Sequence, residues 1–96
     1  RTRGAAVLSR QNQLAVAHHL FQLSRYQSAH IAYSQFRETY TTDSEIPTVL
    51  VLLGLLNARY LNDPVAARTD LREALDNLPS DDDHAQLARD LLEELA

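Results

Sequence analysis

The chain has 96 residues, a formal net charge of −4, 45% hydrophobic residues and no cysteine. This length supports one domain with a single core, and the lack of cysteine excludes disulfide bridges and thiolate chemistry. With only 2 glycines, 3 prolines and no run of alternating β-branched residues, a sheet is not expected. The composition therefore predicts a small all-α domain.

Charge is distributed unevenly along the chain. Residues 1–40 hold five arginines and one acid, which gives +4, and residues 41–96 hold four arginines and twelve acids, which gives −8. This polarity allows one copy to meet another head to tail, although a solvated surface with uneven charge is the simpler interpretation. The negative net charge and the absence of lysine argue against nucleic-acid binding.

The first two helices are predicted from apolar residues at steps of three and four. Residues 1–4 are expected to be a tail, and the first helix is expected over Ala5–Leu23. Its apolar residues form two neighbouring lines, Leu14, Ala17 and Phe21 on one, and Val16, Leu20 and Leu23 on the other. The second helix is expected over Tyr26–Tyr40, with a stripe formed by Tyr26, Ala29, Tyr33, Phe36 and Tyr40.

The central helix is predicted over Ile46–Leu61 and contains the most apolar stretch of the chain. Seven of the eight residues Val49–Leu56 are large and apolar, and burying them contributes on the order of 10–20 kcal/mol before the ordering entropy is subtracted. Thr42 and Glu45 are predicted to form a capping box ahead of Pro47 in the first turn. Apolar residues on more than one side of this helix indicate neighbours on several sides.

Two further helices are predicted after the central one. Asp63 and Pro64 mark the start of the fourth, which is expected over Val65–Asn77. Its inward residues are predicted to be Ala67, Leu71, Ala74, Leu75 and Leu78. The acidic run at 81–83 suits the N-terminus of a last helix that extends to Leu95. The buried side of that helix is predicted to consist of Ala88, Leu91, Leu92 and Leu95.

The chain contains an internal repeat with an offset of 38 residues. Ala29 is followed four and seven positions later by Tyr33 and Phe36, and Ala67 is followed in the same way by Leu71 and Ala74. A small residue followed by larger side chains at this spacing lets one helix lie close against its partner. The repeat therefore predicts two similar helical hairpins.

On these residues the chain resembles the tetratricopeptide repeat family, whose units are helix-turn-helix hairpins of about 34 residues. The resemblance covers residues 12–79 as two units, and it extends to Tyr26, Gly54 and Pro79. The chain departs from the family pattern at Ala17, where a glycine is usual, and by one extra residue in the turn of the second unit.

The resemblance implies antiparallel helical hairpins stacked as a right-handed superhelix of about five helices. A single domain would span residues 5–96, with a first hairpin over 5–40, a second hairpin over 46–78 and a capping helix over 81–95. A generic five-helix bundle is the alternative that the sequence leaves open.

The resemblance also implies a concave groove, lined by the first helix of each unit, that takes up a peptide or a helix. Its partner-binding residues would be Leu14, His18, Phe21, Gln22, Val51, Leu55 and Arg59. The chain has no lysine to match the family's carboxylate clamp, so a receptor for peptide C-termini is not predicted. The groove is either open to a partner or filled by the last helix or a neighbouring domain.

The sequence thus favours a noncatalytic protein–protein interaction scaffold in a larger bacterial assembly. The partner would be a peptide, a helix or a neighbouring domain, and self-assembly into a homo-oligomer through the oppositely charged ends of the helical stack is the alternative. No cofactor or small-molecule substrate is expected, because the chain has no phosphate-binding loop, nucleophile elbow or zincin motif.

Two further expectations concern metal and location. A metal site at residues 81–84 is the weaker hypothesis, because an acidic helix start needs no metal to explain it. The cytoplasm is the favoured compartment. Arg1 and Arg3 are also consistent with the soluble part of a membrane-anchored protein. An upstream segment is the only route by which we expect membrane association.

Overall fold

The structure, a computed structural model, describes residues 9–96. In that range the chain forms five α-helices and no strand, so the predicted all-α class is confirmed. The helices are α1 (Arg10–Gln22), α2 (Tyr26–Thr39), α3 (Ile46–Arg59), α4 (Pro64–Asn77) and α5 (Asp83–Leu95). The predicted tail and the predicted start of the first helix at Ala5 lie outside the described residues. None of the helices in the described range is long and apolar enough to cross a membrane.

The chain divides into two compact units between Thr41 and Thr42. In the first unit, α1 packs on α2, and only residues 23–25 join them, so the two helices run antiparallel. The fully buried side chains of this hairpin are Ala17, Ala29, Tyr33 and Phe36. The predicted stripe of α2 is thus its inward side, with Tyr26 and Tyr40 half-buried at the two ends.

The ends of α1 are fixed by local hydrogen bonds. The Ser9 hydroxyl accepts a bond of 3.2 Å from the backbone N–H of Asn12 and caps the N-terminus. At the other end Ser24 has a left-handed φ of 62°. Its N–H donates to the Phe21 carbonyl, and that of Arg25 donates to the Leu20 carbonyl, each at 2.9 Å. This pair of bonds is a Schellman motif, which satisfies carbonyls that the helix end leaves open.

The second unit contains α3, α4 and α5, and α3 packs against both of the others. The predicted central position of α3 therefore holds within this unit. Its core cluster is formed by Leu50, Val51, Leu71, Ala74, Ala88 and Leu91. Half-buried leucines of α5 pack against the cluster on one side, while Arg89, Asp90, Glu93 and Glu94 of the same helix are exposed.

The predicted capping box at the start of α3 is wrong. Glu45 is itself the N-cap residue, and its side chain makes no capping bond. Its backbone N–H instead donates to the Asp43 carboxylate at 2.8 Å, so an Asx turn at Asp43 takes the bond that the capping box assigns to Thr42. The predicted start of α4 is confirmed, since Asp63 accepts from the N–H of Ala66 at 3.1 Å.

The two hairpins, α1–α2 and α3–α4, share the predicted internal repeat. The repeat positions on α2 and α4 are at most 1% exposed: Ala29, Tyr33 and Phe36, and 38 residues later Ala67, Leu71 and Ala74. Asn62, 38 residues after Ser24, also has a left-handed φ, of 54°. The Asp63 N–H donates to the carbonyl of Asn57, six residues back, at 2.8 Å. The equivalent bond of the first turn, from Arg25 to Leu20, spans five residues. One extra residue therefore precedes the second turn, and the offset between α1 and α3 is 37.

Candidate partner-binding site

The predicted groove residues of the second unit lie on the side of α3 that faces α5. Val51 is 0% exposed and belongs to the core cluster, so it has no surface to offer a partner and we omit it from the site. Leu55 is half-buried against the same cluster, which includes Ala88 of α5. Arg59 donates to the Glu94 carboxylate at 2.8 Å. This side of α3 is therefore occupied by the last helix.

The ion pair between Arg59 and Glu94 lies at the surface. Its hydrogen bond and the charge of Glu94 both raise the pKa of the Arg59 guanidinium. The side chains remain 46% and 52% exposed, so solvent screens the pair and it contributes little to the stability of the unit. It joins the C-terminal ends of α3 and α5.

The predicted groove residues of the first unit lie along one side of α1. Leu14 and Phe21 are half-buried, and His18 and Gln22 are exposed. These four residues form what we call the α1 groove face. They follow one another at steps of four, three and one, which places them on one side of the helix.

Two side chains of the α1 groove face are oriented by α2. A hydrogen bond joins Nδ1 of His18 to the Tyr33 hydroxyl, and burial raises the pKa of that hydroxyl above its ordinary value. Phe21 contacts Tyr26 edge to face, with ring centroids 5.9 Å apart. Contacts within the hairpin thus orient His18 and Phe21 of the α1 groove face.

The structure groups the predicted residues into two sets, one on α1 in the first unit and one on α3 in the second. The offset of 37 between these helices pairs Leu14 with Val51, His18 with Leu55, and Gln22 with Arg59. The α1 groove face is therefore the repeat counterpart of the face on which α5 lies.

Sequence reasoning missed the exposure of the second apolar line of α1. Val16 and Leu23 are 43% and 54% exposed, and Leu20 is half-buried. With Asn12 and His19, these residues form what we call the outer stripe of α1. Helical periodicity marks such a line as apolar but does not say whether a neighbour covers it.

Sequence reasoning also missed Asn57, a buried polar residue of α3. Asn57 is 4% exposed, and its amide donates to the Asp70 carboxylate of α4 at 3.3 Å. The bond satisfies a polar group inside an apolar helix, as burial requires. It links α3 to α4 and has no access to a ligand.

The hypothetical metal site near the start of α5 is not assembled. Within residues 9–96, no three His, Asp or Glu side chains are grouped so as to hold a metal ion. Asp82 accepts the backbone N–H of His84 at 2.7 Å as the N-cap of α5. Its carboxylate also lies 3.5 Å from Nδ1 of His84. Helix capping therefore accounts for the position of these residues.

Comparison of the chain with protein-family models, with curated proteins and with solved structures found no match. The resemblance to tetratricopeptide repeats therefore stays a prediction that depends on the internal repeat of this chain. What the candidate site can do has to be argued from its own residues.

Proposed function

We propose that this protein is a noncatalytic interaction domain that docks an amphipathic helix of a partner protein, within a larger bacterial assembly, on the α1 groove face. The observation that carries the proposal is the position of α5 on α3. That last helix is amphipathic, and it lies on the side of α3 that is the repeat counterpart of the α1 groove face. A face of this kind is suited to a helix, and on α1 the partner would supply it in trans.

Repeat counterparts also indicate the chemistry of that partner. Leu14 stands where Val51 packs in the second unit, and Phe21 adds a large aromatic anchor beside it. Gln22 stands where Arg59 binds Glu94, so the partner helix needs no acidic residue at that end. We therefore expect a helix with a narrow apolar stripe and neutral polar flanks.

Preorganisation favours the α1 groove face as a binding surface. The bond from His18 to Tyr33 and the ring contact of Phe21 with Tyr26 hold the face before a partner arrives. A partner then pays less conformational entropy on binding than it would on a loose surface. We further propose that the hairpins are tetratricopeptide-like units, for which the small residues Ala17 and Gly54 at counterpart positions give support.

The proposal is tested by site-specific photo-crosslinking in extracts of the source cells. A photoreactive residue replaces the exposed Gln22, and a matched variant carries it at Asp76, which is exposed on α4. We expect a crosslinked protein at position 22 that is absent at 76, with the attached peptide predicted to be an amphipathic helix. Equal labelling at both positions, or attachment to a segment without helical periodicity, contradicts the proposal.

A competition experiment separates loss of binding from loss of folding. Gln22→Arg changes an exposed side chain and leaves the hairpin core intact, so its circular dichroism should match that of the parent chain. If a helix docks on the α1 groove face, this variant should compete for the crosslinked partner about two- to fivefold less well, because a longer, charged side chain then replaces a neutral one at the rim of the contact, where the counterpart Arg59 stays half-exposed. Undiminished competition by a folded variant would place the partner elsewhere.

A further inference from the structure

The hydrogen bond between His18 of α1 and Tyr33 of α2 joins an exposed residue to a buried one. Tyr33 is 1% exposed, whereas His18 lies at the surface, on the α1 groove face. The two rings also meet edge to face, with centroids 5.4 Å apart. One imidazole nitrogen, Nδ1, is therefore committed to the hairpin, and only Nε2 is left to bind a ligand.

The burial of Tyr33 decides which atom donates in this bond. A tyrosine hydroxyl is protonated at neutral pH, because its ordinary pKa is about 10. If Nδ1 of His18 carried a proton, the hydroxyl would accept it, and its own O–H would need a second acceptor. Among the described residues the hydroxyl bonds only to His18, and a buried donor without an acceptor is costly. The hydroxyl therefore donates, and Nδ1 accepts.

The tautomer of His18 follows from the direction of this bond. A neutral imidazole has one donor and one acceptor nitrogen, and a bond to either of them fixes the other. Because Nδ1 accepts from Tyr33, the proton of the ring lies on Nε2. Within residues 9–96 that atom has no hydrogen-bond partner. His18 thus presents a neutral N–H donor, which the contact with the Tyr33 ring helps to orient.

The second unit has an apolar residue in place of this donor. The repeat counterpart of His18 is Leu55, which packs against the core cluster that includes Ala88 of α5. A leucine accepts any apolar residue of the covering helix, whereas an N–H loses its bond to water unless the helix supplies an acceptor. The inner carbonyls of a helix are bonded to its own N–H groups, so that acceptor has to be a side-chain oxygen.

We propose that Tyr33 holds His18 as the Nε2–H tautomer, and that this N–H is a specificity-determining donor to a side-chain oxygen of the partner helix. The role of the donor rests on the docking of a helix on the α1 groove face, whereas the tautomer is a property of the hairpin alone. His18 selects among amphipathic helices, because it favours those with a polar side chain between the residues that contact Leu14 and Phe21.

Nuclear magnetic resonance of the full, isotopically labelled chain tests the tautomer, because the two ring nitrogens differ in chemical shift when only one is protonated. At about pH 8.5, above the range in which histidine usually titrates, His18 should show only the Nε2–H form. His19 is the matched control, since its exposed side chain makes no hydrogen bond in the described part of the chain, and it should show both tautomers in exchange. Tyr33→Phe should give His18 the pattern of His19. A proton on Nδ1, or the pattern of His19 in the parent chain, overturns the proposal.

Competition for the partner that crosslinks at position 22 tests the role of the donor. His18→Leu copies the second unit and removes the donor, so it should compete about two- to tenfold less well, as expected for one neutral hydrogen bond. His18→Gln keeps a neutral N–H and is the control, which should compete within about twofold of the parent chain. His18→Leu leaves the Tyr33 hydroxyl without an acceptor, so the double variant with Tyr33→Phe is measured beside it and should show the same loss.

The two proposals fail in different ways. Folded leucine variants that compete as well as the parent chain, or better, overturn the role of the donor. A chain that crosslinks a partner but shows mixed tautomers at His18 refutes only the proposal for His18. A chain that crosslinks no partner refutes the docking and the role of the donor with it, but a single Nε2–H form would still confirm that Tyr33 holds the tautomer.

Discussion

Gly54 of α3 and Leu71 of α4 approach so closely that no side chain fits between the helices at this point. A Cβ atom at position 54 would lie 2.5 Å from both Cγ and Cδ2 of Leu71. Leu71 is 0% exposed and has no space into which to move. The glycine is thus required by the packing of α3 on α4.

We expect Gly54→Ala to destabilise the protein. Alanine favours the helix by about 1 kcal/mol over glycine, but the clash with Leu71 costs about 1–3 kcal/mol, so the net loss is about 0–2 kcal/mol in urea unfolding. A double-mutant cycle with Leu71→Ala is the control. The alanine at 54 should partly fill the space that Leu71 leaves, so the double variant should lose less than the sum of the two single variants. Additive losses would mean that the contact does not determine the packing.

The buried bond between Asn57 and Asp70 makes a second prediction. Asn57→Asp places a carboxylate beside that of Asp70 at a position that is 4% exposed, which should cost about 2–4 kcal/mol at neutral pH. Repulsion raises the pKa of the new acid, so the loss should shrink as the pH falls through its range. The swap Asn57→Asp with Asp70→Asn should recover most of the stability. A swap as unstable as the single variant would show that the pair does not act as a unit.

The packing of α5 predicts that it is part of the core of the second unit. Leu91→Ala should reduce the free energy of unfolding by about 2–5 kcal/mol, since Leu91 is 0% exposed within the cluster. Val65→Ala, at a residue that is 65% exposed, should change it by less than about 0.5 kcal/mol. Deletion of residues 81–96 should leave the second unit unable to unfold cooperatively. A truncated chain with a sharp thermal transition would show instead that α5 is a detachable cover.

Much of the fold could be predicted because its determinants are local. Asp63 and Pro64 are sequence neighbours that start α4, and the spacing of Ala29, Tyr33 and Phe36 alone marks the inward side of α2. The start of α3 at Ile46 agrees with the prediction, but its capping interactions could not be predicted, because several polar residues compete as caps within a few positions. Asp43 provided the acceptor, and the capping box did not form.

The candidate site was less predictable, because it depends on which helix packs where. Leu55 and Val16 are both apolar and both fit helical periodicity, yet α5 packs beside the first and no helix of its own hairpin covers the second. Periodicity gives the sides of a helix but not their neighbours. Asn57 shows the same limit, since its burial and its bond to Asp70 exist only once α4 has packed on α3.

Tyr33 should make the stability of the protein depend on alkaline pH. Burial raises the pKa of Tyr33 above its ordinary value of about 10, so the folded state favours the neutral phenol. Its contribution is therefore complete below about pH 10 and is lost as the pH rises above that value, because the unfolded chain then releases the proton first. Urea unfolding at a series of alkaline pH values should show this fall. The free energy of unfolding of Tyr33→Phe should be about 0.5–1.5 kcal/mol lower at neutral pH, because the bond to His18 is lost, but it should depend less on pH. Tyr60→Phe, at a residue that is 45% exposed, is the control and should keep the pH dependence of the parent chain. An equal slope in Tyr33→Phe would show that the buried phenol is not its origin.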